Sequence, residues 1–130
     1  MASILRVNTL TDASSNNSTP MATIAEGTAK TWLRMNGTGT PAINDSFNVS
    51  SITDQATGNY RVTIATDMAN ANYCAVTGAG GGSSNQTLMN CSTPGDALAA
   101  GTIDLDLQYE HSTGANDPEI ISLSIFGDTA

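Results

Sequence analysis

Three carboxylates stand close together in this 130-residue chain: Asp104, Asp106 and Glu110, within the run TIDLDLQYE. Read as a strand, the run puts them on one face, with roughly 7 Å between residues i and i+2. That separation overlaps those of acid/base carboxylate pairs in glycosidases, and a row of carboxylates is also what a calcium ion recruits. A solvated acidic face that keeps a sheet edge from pairing with other chains accounts for the same residues, and it is the favoured reading. His111 is the sole histidine. With no second ligand at metal-site spacing it reads as an exposed strand-end residue rather than a base or a ligand. Ser50, Ser51 and Ser112 belong to no nucleophile motif, and the glycine-rich run 78–82 lacks the lysine of a phosphate loop. Cys74 and Cys91 have sixteen residues between them, which fits no zinc pattern without further ligands. They are either a cross-strand disulfide or two reduced, buried thiols, the latter favoured for a chain assembled in a cytoplasm. Trp32, flanked by Lys30 and Arg34 on one strand face, suits either a stacked sugar ring or an intersubunit contact covered by the two cations. The contact is the favoured reading. No metal and no cofactor is expected.

Strands must position these residues. Thr31, Leu33 and Met35 alternate with Lys30, Trp32 and Arg34. Phe47 and Val49 alternate with Asn48 and Ser50, and Tyr60, Val62 and Ile64 with Arg61, Thr63 and Ala65. A period of two over such short runs predicts half-buried antiparallel strands. The clusters 36–39 and 54–59 between them are rich in turn residues. Ile103, Leu105, Leu107 and Tyr109 alternate with Asp104, Asp106, Gln108 and Glu110. A one-residue slip there would bury three carboxylates, so the register is firmly set. Ile121, Leu123 and Ile125 alternate with Ser122, Ser124 and Phe126 in the last strand. Residues 4–10 form a short strand-like run, and 11–20 read as a loop or extended arm. A hairpin centred on Gly82 would set Cys74 opposite Cys91 and Val76 opposite Met89. No helical period and no internal repeat is visible. Seven or eight short strands predict one all-β domain, an antiparallel β-sandwich of jelly-roll-like order. Residues 1–20 are the strand and arm, and 21–130 the sandwich head. Trp32, Ile52, Ile120 and Phe126 fall on the wrong face for the first core, which calls for a second buried surface.

Composition narrows the partners. The net charge is −8, and the four basic residues, Arg6, Lys30, Arg34 and Arg61, are scattered. No patch could neutralise a row of phosphates, so nucleic acid is excluded, and anionic membranes with it. No apolar run is long enough to span a bilayer and the first residues lack signal-peptide features, which points to synthesis in a cytoplasm. Only 12% of residues are charged, against disorder, and only 5% are aromatic, so the core must be aliphatic.

The order and spacing of AKTWLRMNGTG, SFNVSSITD, GNYRVTIATDM, ANANYC and the closing SLSIFGD resemble a β-domain of bacteriophage tail-fibre and receptor-binding proteins, of the marine and cyanobacterial type. The resemblance implies a virion protein made in the bacterial host: a non-catalytic, homotrimeric adhesin for a host surface polysaccharide. Trp32, Ile120 and Phe126 would lie in the trimer interface, and the N-terminal arm would attach to other virion proteins. The loops 78–85, 93–100 and 112–118 would form the contact surface, with Gly81, Ser83, Asn85, Asp96, Asn116 and Asp117 as binding residues. In that family the opening segment meets a fibre shaft. Here it begins at Met1, which leaves open a structural alternative, a capsid-decoration or tail component that stabilises the particle.

Overall fold

A computed structural model describes residues 4–81, 87–90, 98–109, 115 and 117–130. In chain order its elements are β1 (Thr9–Thr11), β2 (Ser18–Pro20), α1 (Met21–Gly27), β3 (Thr31–Asn36), β4 (Ala42–Phe47), β5 (Val49–Ala56), β6 (Asn59–Ile64), β7 (Cys74–Gly80), β8 (Thr87–Asn90), β9 (Thr102–Tyr109) and β10 (Ile120–Phe126). All strand pairs are antiparallel. One sheet has the order β4-β3-β10-β7, a second β5-β6-β9-β8, and β1 and β2 pair alone.

The alternation in the sequence becomes the core. Leu33 and Met35 of β3 and Ile121, Leu123 and Ile125 of β10 face Tyr60, Val62 and Ile64 of β6 and Ile103, Leu105 and Leu107 of β9. Met68 and Tyr73 close the cluster. The four central strands thus carry most of the core, with β5 and β7 adding Val49, Ile52, Ala75 and Ala79 at its margin. Burying such aliphatic side chains stabilises the fold by roughly 1.5–3 kcal/mol each. Ile52, expected on the far side of its sheet, instead packs on the core beside Val49.

Three sequential strand pairs, β3–β4, β5–β6 and β8–β9, are hairpins within one sheet. The other four successive pairs from β3 to β10 change sheets. Thr57 and Gly58 alone connect β5 to β6, with Gly58 at φ 71, the tight turn of a hairpin.

The run through Phe47 and Val49, expected as one strand, is a corner between sheets. Asn48 adopts φ 59, a left-handed conformation that asparagine tolerates. Its side-chain amide donates to Thr31 Oγ1 at 3.1 Å and to the Thr66 carbonyl at 3.0 Å, and its Oδ1 accepts the Thr66 N–H at 2.7 Å. The corner therefore turns Phe47 to the outside of one sheet while Val49 joins the core.

The hairpin expected about Gly82 is also absent as a ladder. Strand β7 pairs with β10, which sets Cys74 opposite Phe126, and β8 pairs with β9, which sets Met89 opposite Leu107. Cys74 is a free, exposed cysteine rather than a buried one. Cys91 lies outside the described residues.

In residues 4–28 the expected first strand is confined to Thr9–Thr11, and the expected arm folds back as β2. The Asp12 carboxylate accepts the Asn16 N–H at 2.9 Å and the Asn17 side-chain amide at 2.7 Å, which turns the loop into the β1–β2 hairpin. The Asn17 amide holds the Asp12 carboxyl below its ordinary value. The short helix α1 follows Pro20, and the Lys30 ammonium donates to the Ala25 carbonyl near its C-terminal end. A cation suits that end of a helix. No residue of α1 is buried, and Ile4 and Leu5 are 75% and 80% exposed. Without a buried stripe, the sequence carries no helical period to read.

Candidate functional site

The outward face of the β4-β3-β10-β7 sheet is divided along its strands. Register places Phe47, Trp32, Ser124 and Val76 in one row across the four strands. Phe126 and Cys74 flank that row on one side. On the other, Asp45, Arg34, Ser122 and Gly78 form the next row, followed by Ile120 and Gly80. One half of the face is thus apolar. Phe47 and Val76 are 54% and 56% exposed, and Trp32 and Phe126 are half-buried. The other half is polar and leads into a groove of about 420 Å³ lined by Arg34, Asn36, Thr38, Asn44, Glu119 and Ile120.

The end of the sandwich beside this groove is held by one carboxylate. Asp117 Oδ1 accepts the Tyr60 hydroxyl at 2.6 Å and the Gly58 N–H at 2.6 Å. The Tyr60 hydroxyl also lies 3.1 Å from the Gly37 carbonyl, and Gly37 N–H donates to the Pro118 carbonyl at 2.9 Å. Burial, and then the hydrogen bond and charge of Asp117, push the Tyr60 phenol well above its ordinary value of 10.0. Gly37 admits no side chain, because a Cβ there would sit 2.7 Å from the Tyr60 hydroxyl and 3.1 Å from the Pro118 carbonyl. Thr38 Oγ1 donates to the Asp117 carbonyl at 3.2 Å, and Thr38 N–H to Asn36 Oδ1 at 2.8 Å.

Trp32, Ile120 and Phe126 therefore share one outward face, though Ile120 lines the groove at its polar end. Asp117 is a structural bridge, and Gly81 lies against Glu119. Ser83, Asn85, Asp96 and Asn116 lie outside the described residues, as do Glu110 and His111.

The acidic row is not a solvated face where it can be seen. Asp104 is 5% exposed, and both its oxygens accept from Arg61, from Nε and Nη2 at 2.7 Å each. The two residues are directly opposed on β6 and β9, a cross-strand pairing that the sequence separation of 43 hides. Asn59, opposite Asp106, has its Oδ1 buried without a hydrogen-bond partner among the described residues. Among those residues no cluster of three metal-ligating side chains occurs. Replacing Arg61 by alanine strands a buried carboxylate. The pair is half-open to water, so the expected loss is about 1–2 kcal/mol, between that of an exposed and of a buried pair. Urea denaturation measures it, and adding Asp104→Ala should return part of the loss.

Among the described residues no helix is long and apolar enough to cross a membrane. Asn44 and Phe47 were the residues of this face hardest to find from sequence, because a register shift in β4 and the Asn48 corner decide where they point. Comparison of this chain with protein-family models, with curated proteins and with solved structures finds no match.

Proposed function

We propose that the chain is a non-catalytic surface protein of a bacteriophage particle, a tail-fibre or knob-type adhesin for a host polysaccharide, active as a homotrimer. The apolar half of the outward face carries the proposal. Contiguous exposed apolar surface of this kind marks an interaction site on a soluble protein. Phe47, Trp32 and Val76 lie on β4, β3 and β7 in one row across the sheet, with the small Ser124 of β10 between the last two, which suits a broad, flat contact with a further copy. Threefold symmetry comes from the family that the sequence resembles. The non-catalytic part has support in the structural use of two carboxylates, since Arg61 holds Asp104 and the Tyr60 hydroxyl and Gly58 N–H hold Asp117. Repeated copies on one particle turn a weak sugar site into an effective one.

Light scattering after size exclusion tests the assembly. The expected mass is three times the 13.3 kDa of one chain, falling to one chain in Phe47→Glu/Val76→Glu, with the folded circular-dichroism spectrum kept. A wild-type protein that stays at one chain mass across micromolar concentrations refutes the homotrimer. Immunogold labelling of particles, followed by competition of cell adsorption with the purified protein, tests the adhesin role.

A further inference from the structure

We infer that the groove at the polar end of the outward face is a carbohydrate subsite for a neutral sugar ring. Its volume, about 420 Å³, falls in the range of roughly 300–1,000 Å³ usual for small-molecule clefts. Its lining has two kinds of residue. Asn36 and Thr38 form the fixed part, tied to each other and through Thr38 to the Asp117 carbonyl. Arg34, Asn44 and Glu119 form the open part. They are exposed, and no hydrogen bond or ion pair engages their side chains among the described residues.

Asn44 is there because of a break in the ladder. Arg34 opposes Asp45, and the next residue, Met35, opposes Ile43, so Asn44 is an extra residue with no partner on β3. Such a bulge re-aims a side chain and recurs beside binding sites. Here it adds an amide, both donor and acceptor, to the groove wall.

The lining selects a ligand class. Arg34 donates only, Glu119 accepts only, and Asn44 does both. The guanidinium and the carboxylate cancel in charge. An anion would meet Glu119, with Asp45 beside Arg34, and a cation would meet Arg34. A ligand with many neutral hydroxyls satisfies all three groups at once. Ile120 offers an apolar surface to the C–H face of the ring. The inference locates the ligand of the proposed adhesin and so rests on that reading.

The test uses the full chain, isotope-labelled, titrated with glucose, galactose, mannose and N-acetylglucosamine, together with an array of purified bacterial surface polysaccharides. Binding should shift the amide signals of Arg34, Thr38, Asn44 and Glu119. Arg34→Ala and Asn44→Ala should each weaken it at least tenfold while leaving mass and melting midpoint unchanged. Saccharide binding that shifts other residues, or that both variants retain, overturns the groove and leaves the adhesin standing. Inorganic phosphate binding in place of the hexoses overturns the neutral-sugar assignment. If no saccharide on the array binds, the groove and the adhesin fall together.

Discussion

Asp117→Ala lowers the unfolding free energy by about 2–3 kcal/mol, the loss expected when hydrogen bonds to a charged acceptor are removed and their donors left in a buried site. One oxygen of this carboxylate accepts from both the Tyr60 hydroxyl and the Gly58 N–H. Tyr60 is fully buried, so water cannot replace the lost partner, and only the longer bond to the Gly37 carbonyl, at 3.1 Å, remains. Gly58 sits in the two-residue turn between β5 and β6, so the same substitution loosens that hairpin end. Asp117→Asn retains an acceptor and should lose about half as much. The effect has a pH signature. The Tyr60 phenol is raised in the folded state, so its contribution is complete below the ordinary value of 10.0 and is lost as pH climbs through the folded value. Stability of the wild-type protein should therefore begin to fall above pH 10.0, and Tyr60→Phe should lack that component. An Asp117→Ala protein that keeps its midpoint but fails to adsorb to cells would make this carboxylate a ligand group instead of a brace.

Leu105→Ala has the largest effect expected of any single truncation, about 2–5 kcal/mol in a urea titration. Leu105 has no exposed surface, lies on β9 between β6 and β8, and opposes Tyr60 directly. Its neighbours in the cluster come from both sheets, so the space it leaves cannot be closed by moving one strand. Small domains have only about 5–15 kcal/mol of net stability, and a loss at the upper end of the range would leave the chain partly unfolded at room temperature. Phe47→Ala removes a larger side chain yet should change the stability of a single chain by no more than about 0.5 kcal/mol, as other surface positions do. A Leu105→Ala protein within 1 kcal/mol of wild type, measured beside Phe47→Ala, would mean that the two sheets do not share a core.

How much of this was legible in the sequence depends on where each element finds its burial. The strands β3, β6, β9 and β10 have one face in the core, so period-two alternation marked Leu33, Tyr60, Leu105 and Leu123 correctly as inward. The elements without a buried face left no such trace. Strand β4 is almost wholly exposed and α1 buries nothing, so neither could be read from hydrophobic period. The Asp104–Arg61 pair was misread because alternation tells inside from outside but not which side chain lies across the ladder. Val76 and Met89 were set opposite each other through an expected hairpin, whereas β7 and β8 belong to different sheets. The polar groove was out of reach for a similar reason. It depends on a one-residue register shift between β3 and β4, and nothing local to Asn44 announces that it will be the residue left over.

Strand β10 is the last strand in the chain, yet it lies in the interior of its sheet, hydrogen-bonded to β3 on one side and β7 on the other. On the ribosome, β3 and β7 must wait for a common neighbour that is translated some forty residues after β7. Until Ile120–Phe126 emerges, Leu33 and Met35 lack their cross-strand neighbours Leu123 and Ile121, and two ladders stand open. The sandwich thus closes late, around its final strand. A nascent chain halted before Ile120 would present both open ladders to its neighbours, and inclusion bodies rather than a smaller folded domain are what such a halt should yield.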